Sequence, residues 1–176
     1  MTPRTLILLR HGKSDWSGGE PDLDRPLADR GRHQATEAGR WLSANVAAPD
    51  LAVVSPAERA QRTWELASAE LASPPEARRE ESVYTASARS LLEVVRDLPD
   101  DRSTVVMVGH NPGLEDLVST LAGRWVLMKT SGLAVIAVPG PWSAAGDGMA
   151  ELTAFGRRRS PPADPSPGDQ YGSAAP

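Results

Sequence analysis

Two short apolar runs, each ending on a histidine, constrain the fold of this chain more than any other feature. The first lies in residues 5–12, TLILLRHG, and the second in residues 104–110, TVVMVGH. Continuous apolar runs of this length predict strands buried on both faces, as in a parallel sheet covered by helices. Because α/β sheets bind ligands beyond the carboxyl ends of their strands, His11 and His110 are predicted to lie at one ligand site.

Apolar residues at helical spacing predict helices between the strands. In residues 29–46 the apolar positions are Ala35, Ala38, Trp41, Leu42 and Val46, with charged residues on the opposite face. The same spacing predicts further helices over residues 56–71, 91–98 and 114–121. Strands that alternate with helices predict an α/β fold, a three-layer sandwich with a mostly parallel central sheet.

Shorter segments complete the predicted secondary structure. Residues 51–56, 132–138 and 149–155 are expected to be strands, and the SVY stretch at 82–84 a further short one. Ser55 and Pro56 match the N-cap and the first position of the helix that follows. The stretch at 73–81, SPPEARREE, is expected to be a polar connection.

Length and composition narrow the class of protein. The chain has 176 residues, 40% of them hydrophobic, which fits one globular domain at 1–157 followed by a flexible Pro-, Ser-, Gly- and Ala-rich tail at 158–176. With a net charge of −4 no overall positive field exists to hold a nucleic acid. TLILL is too short for a signal peptide or a membrane span, so we expect no membrane partner and a cytoplasmic location.

Four basic side chains from distant parts of the chain are expected to meet at the sheet edge. Arg10 and His11 end the first strand, Arg59 lies in the first turns of the helix after residue 55, and His110 ends the later strand. Two guanidinium groups and two imidazoles repel one another without an anion between them, and guanidinium groups match phosphate oxygens bidentately. A phosphate group is the predicted occupant, with the arginines in the electrostatic role that a metal ion fills elsewhere, so we expect no metal and no cofactor.

Five ordered segments carry a family resemblance: LLRHGKSDW, LDRPLADRG, VVSPAERAQRT, VGHNPGLEDL and KTSGLAVIAV. Together they resemble the histidine phosphatase superfamily, which has the phosphoglycerate-mutase-like fold. Within it they are most similar to the small SixA-like phosphohistidine phosphatases, which have no large cap insertion. The resemblance extends over residues 5–155.

The resemblance implies roles for individual residues. His11 would be the nucleophile that becomes phosphorylated, Arg10 and Arg59 would hold the phosphate, and His110 would bind it and stabilise transferred charge. Some superfamily members place an asparagine on the phosphate at the position that corresponds to Ser17 here. Ser17 is therefore a candidate substrate-binding residue.

The proton donor to the leaving group is the least defined role. Larger relatives place a carboxylate three residues before an aromatic residue, and Glu81 stands three residues before Tyr84. Asp22, Asp24 and Glu115 are the alternatives. The first two lie in the loop at 12–28, whose LDRPL segment is either part of the site or purely structural, with Pro26 fixing the loop and Asp24 or Arg25 pairing within it.

These observations predict an enzyme: a metal-independent phosphatase that hydrolyses a phosphohistidine or a phosphomonoester through a phosphohistidine on His11. Its partner would be a phosphorylated protein or a small phosphorylated metabolite. The alternatives are a broad phosphatase for sugar phosphates or nucleotides with the same site, and a phosphate-binding regulatory module without turnover. A mutase is disfavoured because no inserted segment would enclose the transferred phosphoryl group.

Overall fold

The structure, a computed structural model, describes residues 3–156, and the predicted tail at 158–176 lies outside them. Within that range six strands and four α-helices follow in chain order: β1 (Arg4–Arg10), α1 (Asp29–Asn45), β2 (Leu51–Val54), α2 (Glu58–Ser68), β3 (Glu76–Arg79), α3 (Ala88–Arg96), β4 (Thr104–Gly109), α4 (Gly113–Ala122), β5 (Leu133–Val138) and β6 (Glu151–Gly156). Short 3₁₀ helices occupy Asp22–Asp24, Glu81–Val83 and Trp142–Ala144.

All six strands form one sheet in the order β3-β2-β4-β1-β5-β6. The first four in this order pair in parallel, whereas β5 is antiparallel to β1 and β6 is antiparallel to β5. The mostly parallel α/β sheet expected from the sequence is therefore confirmed. The antiparallel pairing of the last two strands follows from the short connection between them, at 139–150, which is long enough for a reversal but holds no crossover α-helix.

Helices cover both faces of the sheet, as the alternation of side chains along β1 illustrates. Leu6 and Leu8 pack into the core with α3 and α4, and Ile7 and Leu9 pack into the core with α1 and α2. All four side chains are fully buried. A strand buried on both sides needs the continuous apolar run seen in its sequence.

Two predicted elements differ from the structure. Residues 76–79 form β3, an edge strand paired in parallel with β2, where the sequence predicted a polar connection. Its EARR sequence lacks apolar residues other than an alanine, which suits an edge exposed to water but hides the strand from pattern analysis. Residues 82–84 are not a strand, because Glu81–Val83 form a 3₁₀ helix.

The helix predicted from residue 55 begins later and ends earlier than expected. Its first residue is Glu58, its N-cap is Ala57 without a side-chain cap, and it ends at Ser68. Ser55 is therefore not the N-cap; its backbone N–H donates to the carbonyl of Val108 at 3.0 Å, which continues the β2–β4 pairing past the end of β2.

Gly12 is required by a close approach between the first strand and α1. A Cβ atom at this position would lie 2.5 Å from the carbonyl oxygen of Gly31, and one at Gly31 would lie 2.1 Å from the carbonyl oxygen of Lys13. Larger residues would push α1 away from the segment that follows β1. The glycine after His11 therefore fixes where the first turns of α1 lie beside the site.

Candidate active site

Three neighbouring parallel strands bring the site together. β2, β4 and β1 are adjacent in the sheet, and Ser55, His110 and His11 follow their carboxyl ends. The backbone N–H of His11 donates to the carbonyl of Gly109 at 3.1 Å, so the two strand ends stay in register beyond the sheet. The two imidazole rings consequently lie with centroids 5.1 Å apart.

A cavity of about 820 Å³ opens above this sheet edge. Its lining includes all four basic residues that the sequence singled out: Arg10, His11, Arg59 and His110. Exposed residues line it as well, among them Lys13 and Trp16, so the cavity is open to solvent on the side of the loop at 12–28. The longest connection between two elements is residues 11–28, and no inserted domain covers the cavity within residues 3–156.

His11 is held in one tautomer by the backbone. Its Nδ1 lies 2.7 Å from the carbonyl oxygen of Gly12, which only accepts hydrogen bonds, so Nδ1 carries the proton and Nε2 keeps its lone pair. The pKa of this imidazole is lowered to about 3, chiefly by burial and also by the neighbouring His110, Arg59 and Arg10, against the opposing effect of the Gly12 carbonyl. At neutral pH His11 is uncharged and available as a nucleophile.

His110 has a different partner. Its Nε2 lies 2.7 Å from the hydroxyl oxygen of Ser55, and its Nδ1 lies 3.5 Å from Nη2 of Arg59. Burial lowers its pKa to about 4, and the positive charge of Arg59 contributes next. Because a guanidinium group only donates, the Arg59 contact leaves the lone pair of the neutral ring on Nδ1 and its proton on Nε2, which donates to the Ser55 hydroxyl.

The two arginines retain donors that no described residue uses. Arg59 is only 4% exposed, and its Nε is buried without a partner among residues 3–156. Nε of Arg10 is in the same state, while its Nη1 donates to the carbonyl of Met128 at 2.9 Å. Buried N–H groups without partners are costly, so these donors are suited to an anion bound in the cavity.

Asp22 joins the loop at 12–28 to the site. Its carboxylate lies 3.1 Å from Nη2 of Arg59 and 2.8 Å from Nη1 of Arg25, and it accepts a hydrogen bond of 2.6 Å from the hydroxyl of Tyr84. The Tyr84 hydroxyl and the two guanidinium groups hold the pKa of Asp22 below its usual value. Asp22 is therefore a carboxylate at neutral pH and has no proton to donate.

Comparisons with known proteins agree with this arrangement. Residues 6–82 match the histidine phosphatase superfamily (branch 1). An uncharacterised protein of Mycobacterium tuberculosis is 35% identical over 158 residues, which cover 84% of this chain and 98% of that protein. The chain belongs to the histidine phosphatase superfamily.

Solved structures place it within the superfamily. The SixA structure from Nakamurella multipartitia is similar with a TM-score of 0.78 and 27% identity, covering 89% of this chain and 96% of that one. The SixA structure from Agrobacterium tumefaciens is similar with a TM-score of 0.75 and 26% identity, covering 88% and 98%. This histidine phosphatase is SixA-like and phosphoglycerate-mutase-like in fold, and its activity class is that of a phosphatase acting through a histidine.

Two residues predicted for the site lie outside the cavity lining. Glu81 is exposed on its 3₁₀ helix, and its carboxylate lies 2.9 Å from Nε of Arg79. The chain turns after β3 so that Tyr84, and not Glu81, reaches toward the site. Ser17 is also exposed, and its backbone N–H donates to Asp15 at 2.8 Å. The positions of these two side chains correct the roles that the resemblance implied for them.

Of the three alternative candidates for the proton donor, Asp22, Asp24 and Glu115, only Asp22 lines the cavity. Glu115 is buried and accepts a hydrogen bond of 2.8 Å from the backbone N–H of Met128. Asp24 is exposed and does not line the cavity, whereas Asp22 does. The other carboxylate that lines the cavity among the described residues is Asp116, in the first turn of α4.

Three residues of the site were missed by pattern analysis: Arg25, Ser55 and Tyr84. Arg25 pairs with Asp22 and lines the cavity, so the LDRPL segment is part of the site. The ring of Tyr84 stands edge-on to His110 with centroids 5.7 Å apart. Ser55 directly follows a buried strand, and the rule on strand carboxyl ends, applied to every strand, would have identified it.

No group of three or more metal-ligating side chains that could hold an ion occurs within residues 3–156. His33, the third histidine, is exposed on α1 and does not line the cavity. Within the same residues, no helix combines the length and the apolar character needed to span a membrane.

Proposed function

We propose that this protein is a metal-independent phosphohistidine phosphatase that works through a covalent phosphoryl group on His11. The observation that carries the proposal is the state of His11: buried, uncharged, with its proton fixed on Nδ1 by the Gly12 carbonyl and its Nε2 lone pair free. An imidazole in this state, beside Arg10, Arg59 and His110, combines a nucleophile with the donors that a transferred phosphoryl group needs.

In the first step Nε2 of His11 attacks the phosphorus atom in line with the leaving group. The N–P bond to His11 forms as the bond to the leaving group breaks, and the leaving group departs with its electron pair. Arg10, Arg59 and His110 hold the three equatorial oxygens, on which charge is spread in the transition state. A bound phosphate dianion also favours the protonated form of His110.

In the second step a water molecule attacks the phosphorus of phosphorylated His11. The new O–P bond forms, the bond to Nε2 breaks, and inorganic phosphate leaves with the oxygen of the water. One proton of the water is released, and the imidazole of His110, whose centroid lies 5.1 Å from that of His11, is the neighbouring group that accepts it. His11 returns to its neutral state, with Nδ1 still bonded to Gly12.

The protonation state of Asp22 supports a phosphohistidine substrate over an alkyl phosphate. An alkoxide leaving group needs a proton in the transition state, and Asp22 is held as a carboxylate. An imidazole leaving group departs as a neutral ring once its distal nitrogen carries a proton, so it depends less on a positioned acid. The open side of the cavity also admits a phosphoryl group carried on a protein.

The first test measures turnover of p-nitrophenyl phosphate in EDTA and traps the intermediate. We expect turnover in EDTA and an acid-labile, base-stable phosphoenzyme in the wild type, both lost in His11→Ala. Glu81→Gln is the control and should retain the wild-type rate, because Glu81 pairs with Arg79 outside the cavity. Tight phosphate binding without turnover in the wild type would favour a regulatory module and overturn the proposal.

A cavity of about 820 Å³ favours a second candidate, because it is large enough to hold a small phosphorylated metabolite. This candidate uses the same His11 chemistry on sugar phosphates or nucleotides. Comparing kcat/KM for a histidine-phosphorylated protein with a panel of metabolite phosphates separates the two. A preference of tenfold or more for the phosphoprotein supports the proposal, and equal rates on all substrates contradict it.

A further inference from the structure

Trp16 stands out among the residues that line the cavity. Its side chain is 70% exposed, the highest exposure among the large apolar residues that stand out on the described surface, although it borders the candidate active site. The proposed reaction uses no part of it. A large aromatic side chain held in water at the mouth of a cavity is a common feature of a recognition site.

The ring of Trp16 is fixed on one side. The guanidinium carbon of Arg25 lies 3.5 Å from the centre of the ring, which is a close cation–π contact. The Arg25 side chain is itself only 11% exposed, so it lies between the indole and the interior. Since one face of the indole is covered, its exposed area belongs to the opposite face and to its edges.

The loop that carries Trp16 is itself anchored at both ends. The backbone N–H of Asp15 donates to the carbonyl of Pro26 at 2.8 Å, and that of Ala28 donates to the carbonyl of Lys13 at 2.9 Å. These two bonds hold the strand-like stretches on either side of the loop together. The indole is therefore preorganised and loses little freedom when a ligand stacks on it.

A chain of contacts connects this ring to the phosphate-binding residues. Arg25, behind the indole, pairs with Asp22 at 2.8 Å, and Asp22 pairs with Arg59 at 3.1 Å. Trp16 and Arg59 line the same cavity. A substrate whose phosphoryl group is held by Arg59 and His11 therefore lies in the same cavity as the indole.

We propose that the free face of Trp16, backed by Arg25, is a stacking platform for a planar aromatic leaving group. The substrates it selects carry the phosphoryl group on a flat ring, such as the imidazole of phosphohistidine. The inference rests on the proposed function and deepens it, because it assigns the choice of leaving group to one residue. An imidazole that gains positive charge as its distal nitrogen is protonated is attracted further by the electron-rich indole face.

The test compares leaving groups with and without a ring. Phosphoimidazole and phosphoramidate both contain a P–N bond, and only the first has a planar ring. We expect Trp16→Leu to lower the ratio of kcat/KM for phosphoimidazole to that for phosphoramidate by roughly tenfold, the size of a lost stacking contact. Trp16→Phe should restore most of the ratio. Trp125→Leu is the matched control, since Trp125 is 56% exposed but lies outside the cavity lining, and it should leave the ratio unchanged.

A histidine-phosphorylated protein domain is the second arm of the same experiment. If the platform recognises the ring, Trp16→Leu weakens turnover of this protein and of free phosphoimidazole by similar factors. An effect on the phosphoprotein alone overturns the inference, because a contact with the polypeptide would then explain it.

Binding of non-hydrolysable phosphonates keeps the inference independent of turnover. Wild-type protein should bind phenylphosphonate more tightly than methylphosphonate, and Trp16→Leu should reduce this preference roughly tenfold. Loss of the preference in Trp16→Leu without any turnover in the wild type would support the platform and overturn the proposed function. Turnover through His11 with an unchanged preference would support the proposed function and overturn the platform.

Discussion

The two strand ends that carry histidines have similar sequences but present their imidazoles differently. His11 is bonded through Nδ1 to a backbone carbonyl, which fixes one tautomer and leaves Nε2 free. His110 is bonded through Nε2 to the hydroxyl of Ser55, and because the Arg59 guanidinium beside its Nδ1 only donates, the neutral ring carries its proton on Nε2, the opposite tautomer to His11. His11 is therefore suited to act as the nucleophile, and His110 is suited to bind the phosphoryl group and to exchange protons.

The chemical difference between the two rings therefore depends on the hydrogen-bond partner of each ring and not on the strand that precedes it. Both rings are buried, and burial lowers both pKa values, to about 3 for His11 and about 4 for His110. Charge state alone therefore does not distinguish His11 from His110. Four predictions test whether their hydrogen-bond partners give the two rings different roles, beginning with the largest expected effect.

Removing the nucleophile should have the largest consequence. We expect His11→Ala to lower kcat by about 10⁴-fold or more, since loss of a covalent nucleophile removes the whole two-step route. Turnover of p-nitrophenyl phosphate and trapping of the phosphoenzyme measure it. Circular dichroism provides the control for folding. A variant that retains activity within tenfold of the wild type would contradict the role of His11.

Removing the second imidazole should have a smaller effect. We expect His110→Ala to lower kcat by about 10²- to 10³-fold, as for loss of one donor to developing charge. Phosphorylated His11 should still form in this variant, as a mass increase of the intact protein would detect. His33→Ala is the control, because that imidazole is exposed on α1. Equal losses in the His11 and His110 variants, with no phosphoenzyme in either, would remove the distinction between them.

The dependence of stability on pH should reflect both buried rings. In the unfolded chain their pKa values return to about 6.5, so between pH 6.5 and about 4 the unfolded state binds more protons than the folded state. The free energy of unfolding should therefore fall as pH decreases through this range, by up to about 1.4 kcal/mol per pH unit for each ring. Above about pH 7.5, where the rings are neutral in both states, they contribute no slope.

Urea unfolding at pH 4.5 to 7.5 checks this dependence. The double variant His11→Asn/His110→Asn should lose less stability than the wild type on going from pH 6.5 to 4.5, because it lacks both groups that gain protons on unfolding. Carboxylates such as Asp22 contribute equally in the two proteins and cancel in the difference. If the free energy of unfolding depended on pH in the same way in the wild type and the double variant, the pKa values of the two rings would not be lowered by burial, and the prediction would be wrong.

The sequence was sufficient to predict the elements whose residues carry their own pattern. β1 and β4 have continuous apolar runs because helices cover both of their faces, and α1 has the spacing of a helix with one buried side. β3 has no such pattern, since its backbone pairs with β2 while its charged side chains face water at the sheet edge. Its existence depends on a neighbour that is distant in sequence.

The residues of the candidate site likewise fall into those that the sequence pattern predicts and those that it does not. Arg10, His11, Arg59 and His110 could be predicted because the end of a parallel strand, or the start of the helix after it, specifies where such side chains lie. Glu81 could not be excluded, because its offset from Tyr84 does not tell which of the two side chains points inward. The structure answers this through one contact, the hydrogen bond from Tyr84 to Asp22.

Substitution of Ser55 should have the smallest of the expected effects, and it tests most specifically whether the partner of His110 sets the difference between the two histidines. Ser55→Ala removes the partner of Nε2 of His110 and should lower kcat about two- to tenfold, the value of one hydrogen bond of roughly 0.5–1.5 kcal/mol. Ser55→Thr keeps a hydroxyl and should restore the rate, whereas a purely structural role would not favour threonine in this fully buried position. Because a hydroxyl group accepts a stronger hydrogen bond from the charged ring of His110 than from the neutral ring, its loss should also lower the pKa of His110 and shift the pH dependence of kcat, while leaving phosphorylation of His11 intact. A variant in which Ser55→Ala abolishes the phosphoenzyme would instead place Ser55 with the nucleophile, and the difference between the two strand ends would then need another cause.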